Sequence, residues 1–380
     1  MKKLQDFNFK GKNVLVRCDF NVPLSSQGQV LDDFRIKAAL PTIEYLIERK
    51  AKVILMSHLE RRDEAISLKQ IMPKLEELLG KKIKFLVNYF EKDAKREIEK
   101  VKLGEVILLE NLRFHREEKE NNKPFAKKIS KLGDFFVNEA FSVCHRSHAS
   151  LVSIPEYLPK AAGILLEKEI KVLSQLLKKF NRPFVAIIGG IKISSKIKTI
   201  LNILKIADHL LLGSKMGEVI LAEKEILIGR RLPKEKLVQE LNLTDPKVHL
   251  PLDGVMALRD VKEGSLRKAG LGTLRIKEEV FDIGPETIKI FKEMIKTAKT
   301  ILWNGPLGMF EDKRFELGTK EIADSIVGNY SAFKVAGGGE TILAIRKFKL
   351  EEKFDFLSSG GGAMLQFLAG EKLPGIEALQ

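Results

Sequence analysis

The sequence predicts an α/β protein made of two doubly wound parallel-sheet domains joined by a hinge helix. Three observations predict it. Short apolar, partly β-branched runs alternate with amphipathic helical stretches along the chain, which is the pattern of parallel strands buried on both faces. Nearly every run ends in glycine or polar residues, as suits ligands bound outside the carboxyl ends of such strands. The chain has 380 residues, beyond the size at which one core usually divides.

In the first half, Val14-Leu-Val-Arg-Cys18 reads as a strand that ends in Asp19-Phe20-Asn21. Val53-Ile-Leu-Met56 leads into Ser57-His58, and Val106-Ile-Leu-Leu109 into Glu110-Asn111-Leu112-Arg113. Phe135-Phe-Val137 leads into Asn138-Glu139-Ala140, with His145-Arg146 close behind. Pro155 and Pro159 close this half. Residues 163–180 then read as one helix, with Ile164, Leu165, Ile170, Leu173, Leu176 and Leu177 at helical spacing. Packing is its default role and a hinge role an addition.

Phe184-Val-Ala-Ile-Ile188 opens the second half and stops at Gly189-Gly190, where the missing Cβ lets backbone approach a ligand. Ser194 or Ser195 can open the next helix, whose free N–H groups suit an anion. Lys192 and Lys196 are four apart, so on a helical turn they share a face. This stretch reads either as a phosphate site or as a strand–turn–helix corner with two solvated lysines. His209-Leu-Leu-Leu212 leads into Gly213, Val248-His-Leu250 into Pro251-Leu252-Asp253, and Thr300-Ile-Leu-Trp303 into Asn304-Gly305-Pro306. Phe333-Lys-Val-Ala336 leads into Gly337-Gly-Gly-Glu340-Thr341, and Phe354-Asp-Phe-Leu357 into Ser358-Ser-Gly-Gly-Gly362. Arginine forks, as in the first half, suit small carboxylates and phosphates, while glycine turns suit the backbone cradling of a nucleotide. One half therefore takes a small anionic substrate and the other a nucleotide.

Composition narrows the classes. The chain is 44% hydrophobic and 31% charged, as a soluble globular protein is. No apolar run approaches the roughly 20 residues that span a bilayer, and no signal-peptide core follows Met1, so a cytoplasmic protein without a membrane partner is expected. Cys18 and Cys144 are too few for a disulfide framework or a zinc site; they could lie near one another, with buried free thiols as the expectation. The net charge of +15 is spread through the chain and would allow nucleic acid or anionic metabolites. Aromatics are only 7% and the arginines sit at strand ends, so no nucleic-acid partner is expected. The P-loop, G-x-G-x-x-G, C-x-x-C and H-E-x-x-H patterns are absent from the sequence.

Together the strand-end motifs resemble the phosphoglycerate kinase family over essentially the whole chain. The residues that carry the resemblance are Val16-Arg-Cys-Asp-Phe-Asn-Val-Pro23, Ser57-His-Leu59, Glu110-Asn-Leu-Arg-Phe114 and Val137-Asn-Glu-Ala-Phe141 with His145-Arg146. They continue with Gly189-Gly-Ile-Lys192 and Lys196, Trp303-Asn-Gly-Pro306 with Phe310-Glu311, Gly337-Gly-Gly-Glu-Thr341, and Ser358-Ser-Gly-Gly-Gly-Ala363 before Leu373-Pro-Gly375. Any one is weak, but the ordered set is specific.

The resemblance implies reversible phosphoryl transfer between 1,3-bisphosphoglycerate and MgADP, giving 3-phosphoglycerate and MgATP. It implies two Rossmann-like domains, residues 1–165 with a returning tail 366–380 and residues 166–365, in a monomer that closes about its hinge. Asp19, Phe20, Asn21, Arg35, His58, Leu59, Glu60, Arg61, Arg113 and Arg146 are then expected to line the phosphoglycerate site. Lys192, Lys196, Gly213, Asn304, Glu311, Gly338, Gly339, Glu340 and Thr341 are expected at the nucleotide, with Glu340 on Mg2+. Arg35, Lys192, Gly361 and Gly362 are the expected catalytic residues. Both attacking oxygens, a carboxylate and a terminal phosphate, are already ionised, so positive charge and N–H groups are needed rather than a general base.

The chain departs from the family pattern at several positions. Glu60 and Arg62 stand where His-Leu-Gly-Arg-Pro is usual. Ser214 and Lys215 replace two glycines, Glu340 and Glu139 replace aspartates, and Ser359 replaces a threonine. The changes at 214, 215 and 340 bear on nucleotide affinity or choice. Glu340 is expected still to reach the metal, through a water if its extra methylene misplaces it. Two rival readings are an impaired family member kept as a scaffold and a basic nucleic-acid-binding protein.

Overall fold

A computed structural model of the chain describes residues 1–90, 92–191, 194, 196–227, 240–258 and 266–380. It divides into two compact units, Met1–Lys171 with Lys372–Gln380, and Val172–Glu371. The boundaries fall a few residues after those expected at 165/166 and 365/366. The first lies inside the helix Ile164–Lys178. The second follows the helix Gly362–Leu368, which is held in the second unit because Thr199 Oγ1 donates to Leu365 O at 2.7 Å and Asn202 Nδ2 donates to Leu368 O.

The first unit runs through β1 (Asn13–Arg17), β2 (Lys52–Met56), a hairpin of β3 (Glu60–Arg61) and β4 (Glu64–Ala65), then β5 (Ile83–Leu86), β6 (Val106–Leu109), β7 (Phe135–Asn138) and β8 (Lys160–Ala162). Among the described residues, six of these form a parallel sheet ordered β5-β6-β2-β1-β7-β8. Val14, Val16, Val53 and Val137 are buried within the core, which explains their unbroken apolar character. The helix Phe34–Glu48 buries Ile36, Ala39, Ile43 and Leu46, one face at helical spacing. The strand order reverses around β1, so the loops after β1, β2 and β7 meet at a crevice of the kind that binds ligands. The chain end docks on this unit. Gly375 N donates to Cys144 O at 2.9 Å, Asn138 Nδ2 donates to Gly375 O at 3.1 Å, and Leu373 and Leu379 are buried. Cys18 and Cys144 are buried free thiols.

The second unit contains β9 (Phe184–Ile188), β10 (His209–Leu212), β11 (Val248–His249), β12 (Asp253–Leu258), β13 (Arg267–Gly270), β14 (Glu278–Ile283), β15 (Thr300–Asn304), β16 (Phe333–Gly337) and β17 (Phe356–Ser358). Its described parallel sheet is ordered β11-β10-β9-β15-β16-β17, with Trp303 fully buried at its centre. A separate antiparallel sheet, β13-β12-β14, was not expected. Its β14 alternates buried and half-buried residues, a pattern that a search for continuous apolar runs passes over.

The stretch after β9 differs from the expectation of a helix opened by Ser194 or Ser195. Ser194 lies in a turn, and the helix begins at Ile197 with Lys196 as its N-cap. Lys196 therefore stands at the start of this helix and not within it. Lys192 and Ser195 lie outside the described residues. No helix of the described residues is long and apolar enough to cross a membrane.

Candidate active site

In the first unit, short polar bonds tie the strand ends together. Phe20 N donates to Ser57 Oγ at 2.8 Å, joining the loops after β1 and β2. Asp19 accepts from Asn21 N at 3.0 Å and from Ser142 Oγ, which follows β7. Arg35 Nη1 lies 3.1 Å from Asp19 Oδ2 and donates to Asn21 O at 2.8 Å. Burial opposes ionisation of Asp19, but the Arg35 guanidinium and the hydrogen bonds from Ser142 and the Asn21 N–H outweigh it and hold the carboxyl well below its usual range.

His58 is buried, and burial together with Arg17, Arg113 and Arg35 pushes its pKa well down against the opposing pull of Asp19. Its Nδ1 lies 3.3 Å from Arg17 Nη2. A guanidinium only donates, so Nδ1 accepts and the ring proton sits on Nε2. His58 is thus a neutral donor. Arg17 is itself braced, since Nε donates to Ser150 Oγ at 2.8 Å and Ser150 Oγ donates to Glu118 Oε1 at 2.5 Å. Arg17 was not among the expected site residues. The signal that could have found it is a lone charge inside an apolar strand.

Arg113 is placed by Asn111, whose Oδ1 accepts from Arg113 N at 2.9 Å and whose Nδ2 donates to Leu59 O and Ile66 O, each at 2.7 Å. Its Nη1 pairs with Glu60. Among the described residues its Nε and Nη2 have no hydrogen-bond partner. Arg146 is exposed and close. His148, buried beside them, is pushed down to about 3 by its burial and by Arg113, Arg17, Arg146 and Lys119. This end of the crevice is strongly cationic. Arg61 is exposed and lines a neighbouring open cleft of about 820 Å³ with Lys69 and Lys74. Phe20 and Leu59 are buried and contribute backbone groups.

In the second unit the ends of β9, β10, β15 and β16 converge as backbone. Gly189 N donates to Asn304 O and Gly190 N to Pro306 O, each at 2.9 Å, and Gly213 N donates to Ile188 O at 3.0 Å. A Cβ on Gly189 would sit 2.0 Å from Pro306 O, so only glycine fits there. Gly338 caps the helix Gly339–Lys347 at φ 101°, a conformation reserved for glycine. Lys196 Nζ is buried among these turns and donates to Gly189 O. A Cβ on Gly190 would lie 3.0 Å from that Nζ and 3.5 Å from Glu340 Oε2, so the ammonium and the carboxylate flank one turn. Burial pushes Lys196 from its usual 10.5 down to about 8, against the pull of Glu340.

Asn304 Nδ2 donates to Gly337 O at 2.8 Å, and Thr341 Oγ1 accepts from Gly305 N at 2.6 Å, so both side chains hold the glycine turns in place. Glu340 is exposed in the first turn of its helix. A cleft of about 380 Å³ opens beside it, lined in part by Gly190, Lys215, Leu307, Glu311 and Glu340. Lys215 is 3.0 Å from Glu218 and 3.2 Å from Glu279. Gly213 caps the helix Ser214–Glu223, and Gly361 and Gly362 begin the helix Gly362–Leu368.

A family model described as phosphoglycerate kinase matches residues 4–371. The chain is 43% identical over 394 residues to the phosphoglycerate kinase of Borrelia garinii subsp. bavariensis, covering 100% of this chain and 99% of that protein. It is 42% identical to the phosphoglycerate kinase of Dictyoglomus turgidum, covering 99% and 98%. The crystal structure of phosphoglycerate kinase from Pyrococcus horikoshii aligns with a TM-score of 0.87 at 34% identity, covering 100% of this chain and 98% of that one. The structure of phosphoglycerate kinase from Coxiella burnetii aligns with a TM-score of 0.82 at 32% identity and the same coverage.

Proposed function

Because this chain belongs to the phosphoglycerate kinase family, we propose that it catalyses reversible phosphoryl transfer between 1,3-bisphosphoglycerate and MgADP, forming 3-phosphoglycerate and MgATP. The observation that carries the assignment of sites is the buried Arg113, whose Nε and Nη2 await an acceptor in a cationic crevice. Buried guanidinium N–H groups left without an acceptor are costly unless an anion completes them. The first unit thus takes phosphoglycerate. Arg113 and Arg146 receive its phosphate, His58 Nε2–H donates to it, and Arg35 meets its carboxyl end from a position set by Asp19 and Asn21. Arg61 contributes from the neighbouring cleft.

The second unit takes the nucleotide. The turns at Gly213, Gly338 and Gly339 bring backbone N–H groups close, and Lys196 supplies charge to the phosphates. Asn304 and Thr341 keep those turns in shape, and Glu311 lies on the nucleoside cleft. Gly361 and Gly362 present backbone to the transferring group, and Lys192 is assigned to it by family resemblance. No proton has to be removed from either attacking oxygen, so these groups act by placement and charge. The reading takes the protein as a cytoplasmic monomer acting on small anions without a nucleic-acid partner, since its site arginines serve strand ends.

Glu340 fits Mg2+: it is an exposed carboxylate beside the glycine turns, and this ion is commonly held by one or two carboxylates plus phosphates. When bound, the ion neutralises phosphate charge. Glu340→Gln should raise the Mg2+ concentration needed for half-maximal rate, and Glu340→Asp should lower it if the longer side chain is a compromise. An unchanged Mg2+ dependence in Glu340→Gln would remove Glu340 from this role. The whole reading is tested by Mg2+-dependent consumption of ATP and 3-phosphoglycerate by folded protein. No turnover above background would reject it.

A pH dependence follows from Lys196. Its protonated form attracts the nucleotide phosphates and its free-state pKa is about 8. MgADP affinity should therefore be full below that value and fall as pH rises through it, with proton uptake on binding near the midpoint. Calorimetry in buffers of different ionisation enthalpy reads both quantities. An affinity that stays flat across this range would detach Lys196 from the nucleotide.

A further inference from the structure

We propose that Glu60 is a tethered competitor for the substrate's phosphate: its carboxylate occupies the Arg113 end of the acid site when that site is empty and is displaced when phosphoglycerate enters. The inference rests on the reading that this site takes phosphoglycerate.

The backbone aims Glu60 inward. It lies on the hairpin β3–β4, which turns through Arg62 and Asp63 at φ 51° and 66°. Glu60 N donates to Asn21 Oδ1 at 2.9 Å, and Ile66 N donates to Leu59 O at 3.0 Å. The hairpin is thereby tied to the same loop that holds Arg35. The Glu60 side chain is 15% exposed and the Arg113 side chain 2%.

A purely structural buried ion pair satisfies the remaining donors of its arginine. Here only Nη1 of Arg113 reaches Glu60, while Nε and Nη2 have no partner among the described residues. The fork is thus partly filled by a resident anion and partly open. A phosphate dianion entering the open part would meet the Glu60 charge at close range in a poorly hydrated site, so the two cannot share Arg113 comfortably. Glu60 has somewhere to go. Lys119 Nζ lies 3.0 Å from its Oε1, outside hydrogen-bond alignment, and the Lys119 side chain is 50% exposed. Rotation of the flexible Glu60 stem would keep the Lys119 pair while releasing Arg113. The resident carboxylate then does three things. It neutralises Arg113 in the empty site, it weakens substrate binding, and it favours dianionic phosphates over weakly charged acids that cannot displace it.

Glu60→Gln keeps the size and removes the charge. Relative to the parent, its Kd and KM for 3-phosphoglycerate should fall about tenfold, with KM for MgATP within about twofold. Sulfate, used as an anion probe, should bind and inhibit the variant more tightly than the parent. The ligand-free variant should melt at a lower temperature, because Arg113 has lost its counter-ion, and 3-phosphoglycerate should raise its midpoint more than the parent's. Glu60→Asp, with a shorter reach, should tighten binding by a smaller factor and decides the matter if Glu60→Gln does not fold. Unchanged or weaker binding of 3-phosphoglycerate in these variants, with an active parent, would overturn the proposal and make Glu60 a brace for Arg113. A parent that neither binds nor consumes 3-phosphoglycerate would instead overturn the functional reading, and the sulfate comparison would still decide whether Glu60 competes for an anion.

Discussion

Arg35→Ala should lower kcat/KM for phosphoglycerate by about 10²–10³, equivalent to roughly 3–4 kcal/mol of lost stabilisation, while MgATP binding persists. Arg35 stands in the first turn of the helix Phe34–Glu48, where alanine is a good helix former, so the fold should survive. The side chain is half-buried, and its Nη1 is committed to Asn21 O and Asp19 Oδ2. Those contacts aim the guanidinium at the crevice. Without it, Asp19 keeps its negative charge with one cation fewer, and that charge would repel the substrate carboxyl as well as fail to stabilise the transition state. Arg35→Lys should recover only part of the rate, because an ammonium carries the charge without the planar fork. Steady-state kinetics in both substrates, with circular dichroism as a folding control, measure this. Equal loss of affinity for both substrates would contradict the division of labour between the two units.

Lys196→Met should lower turnover by about 10²–10³ and weaken MgADP binding, since a charge placed at the phosphates is replaced by an apolar stem. The effect on stability should have the opposite sign. The folded-state pKa of Lys196 is about 8 against a usual 10.5, so its charged form is less favourable in the folded protein than in the unfolded chain. That penalty is complete below about pH 8 and disappears as pH rises toward 10.5. Removing the ammonium at neutral pH should therefore leave the melting temperature unchanged or higher, the trade of stability for activity common at functional sites. A variant that loses activity because it no longer folds would show that Lys196 is structural. A folded variant with turnover within about threefold of the parent would remove it from the catalytic set.

Glu60 and Lys196 also show where reading the chain as a string stops. Alternation of apolar runs with helical stretches is a local property, because strand burial and helix faces impose their periods on neighbouring residues. That was enough for the α/β class, the division into two units, the long helix at 164–178 and the polar or glycine ends of most strands. Asp19, Asn21, His58 and Arg113 stood out as candidates because each lies within four residues of the end of a recognisable strand, while their expected roles came from the family resemblance. The antiparallel sheet β13-β12-β14 was missed because the alternating burial of β13 and β14 makes them look like surface segments. Helix capping at Lys196 was missed because serine is the more favoured cap, and the turn after β9 overrides that preference.

Contacts between distant positions depended on topology. Glu60 meets Arg113 and Arg17 meets Ser150 only because β1, β2, β6 and β7 are parallel neighbours whose carboxyl ends share one edge. Likewise the tail crosses back to Asn138 and Cys144 because its buried leucines find their cover beside β7. Side-chain type and period are written residue by residue, so they can be read in order. Strand order and the partner of a buried charge are set by the packing of the whole unit, where a guanidinium takes whichever anion the folded chain brings within reach.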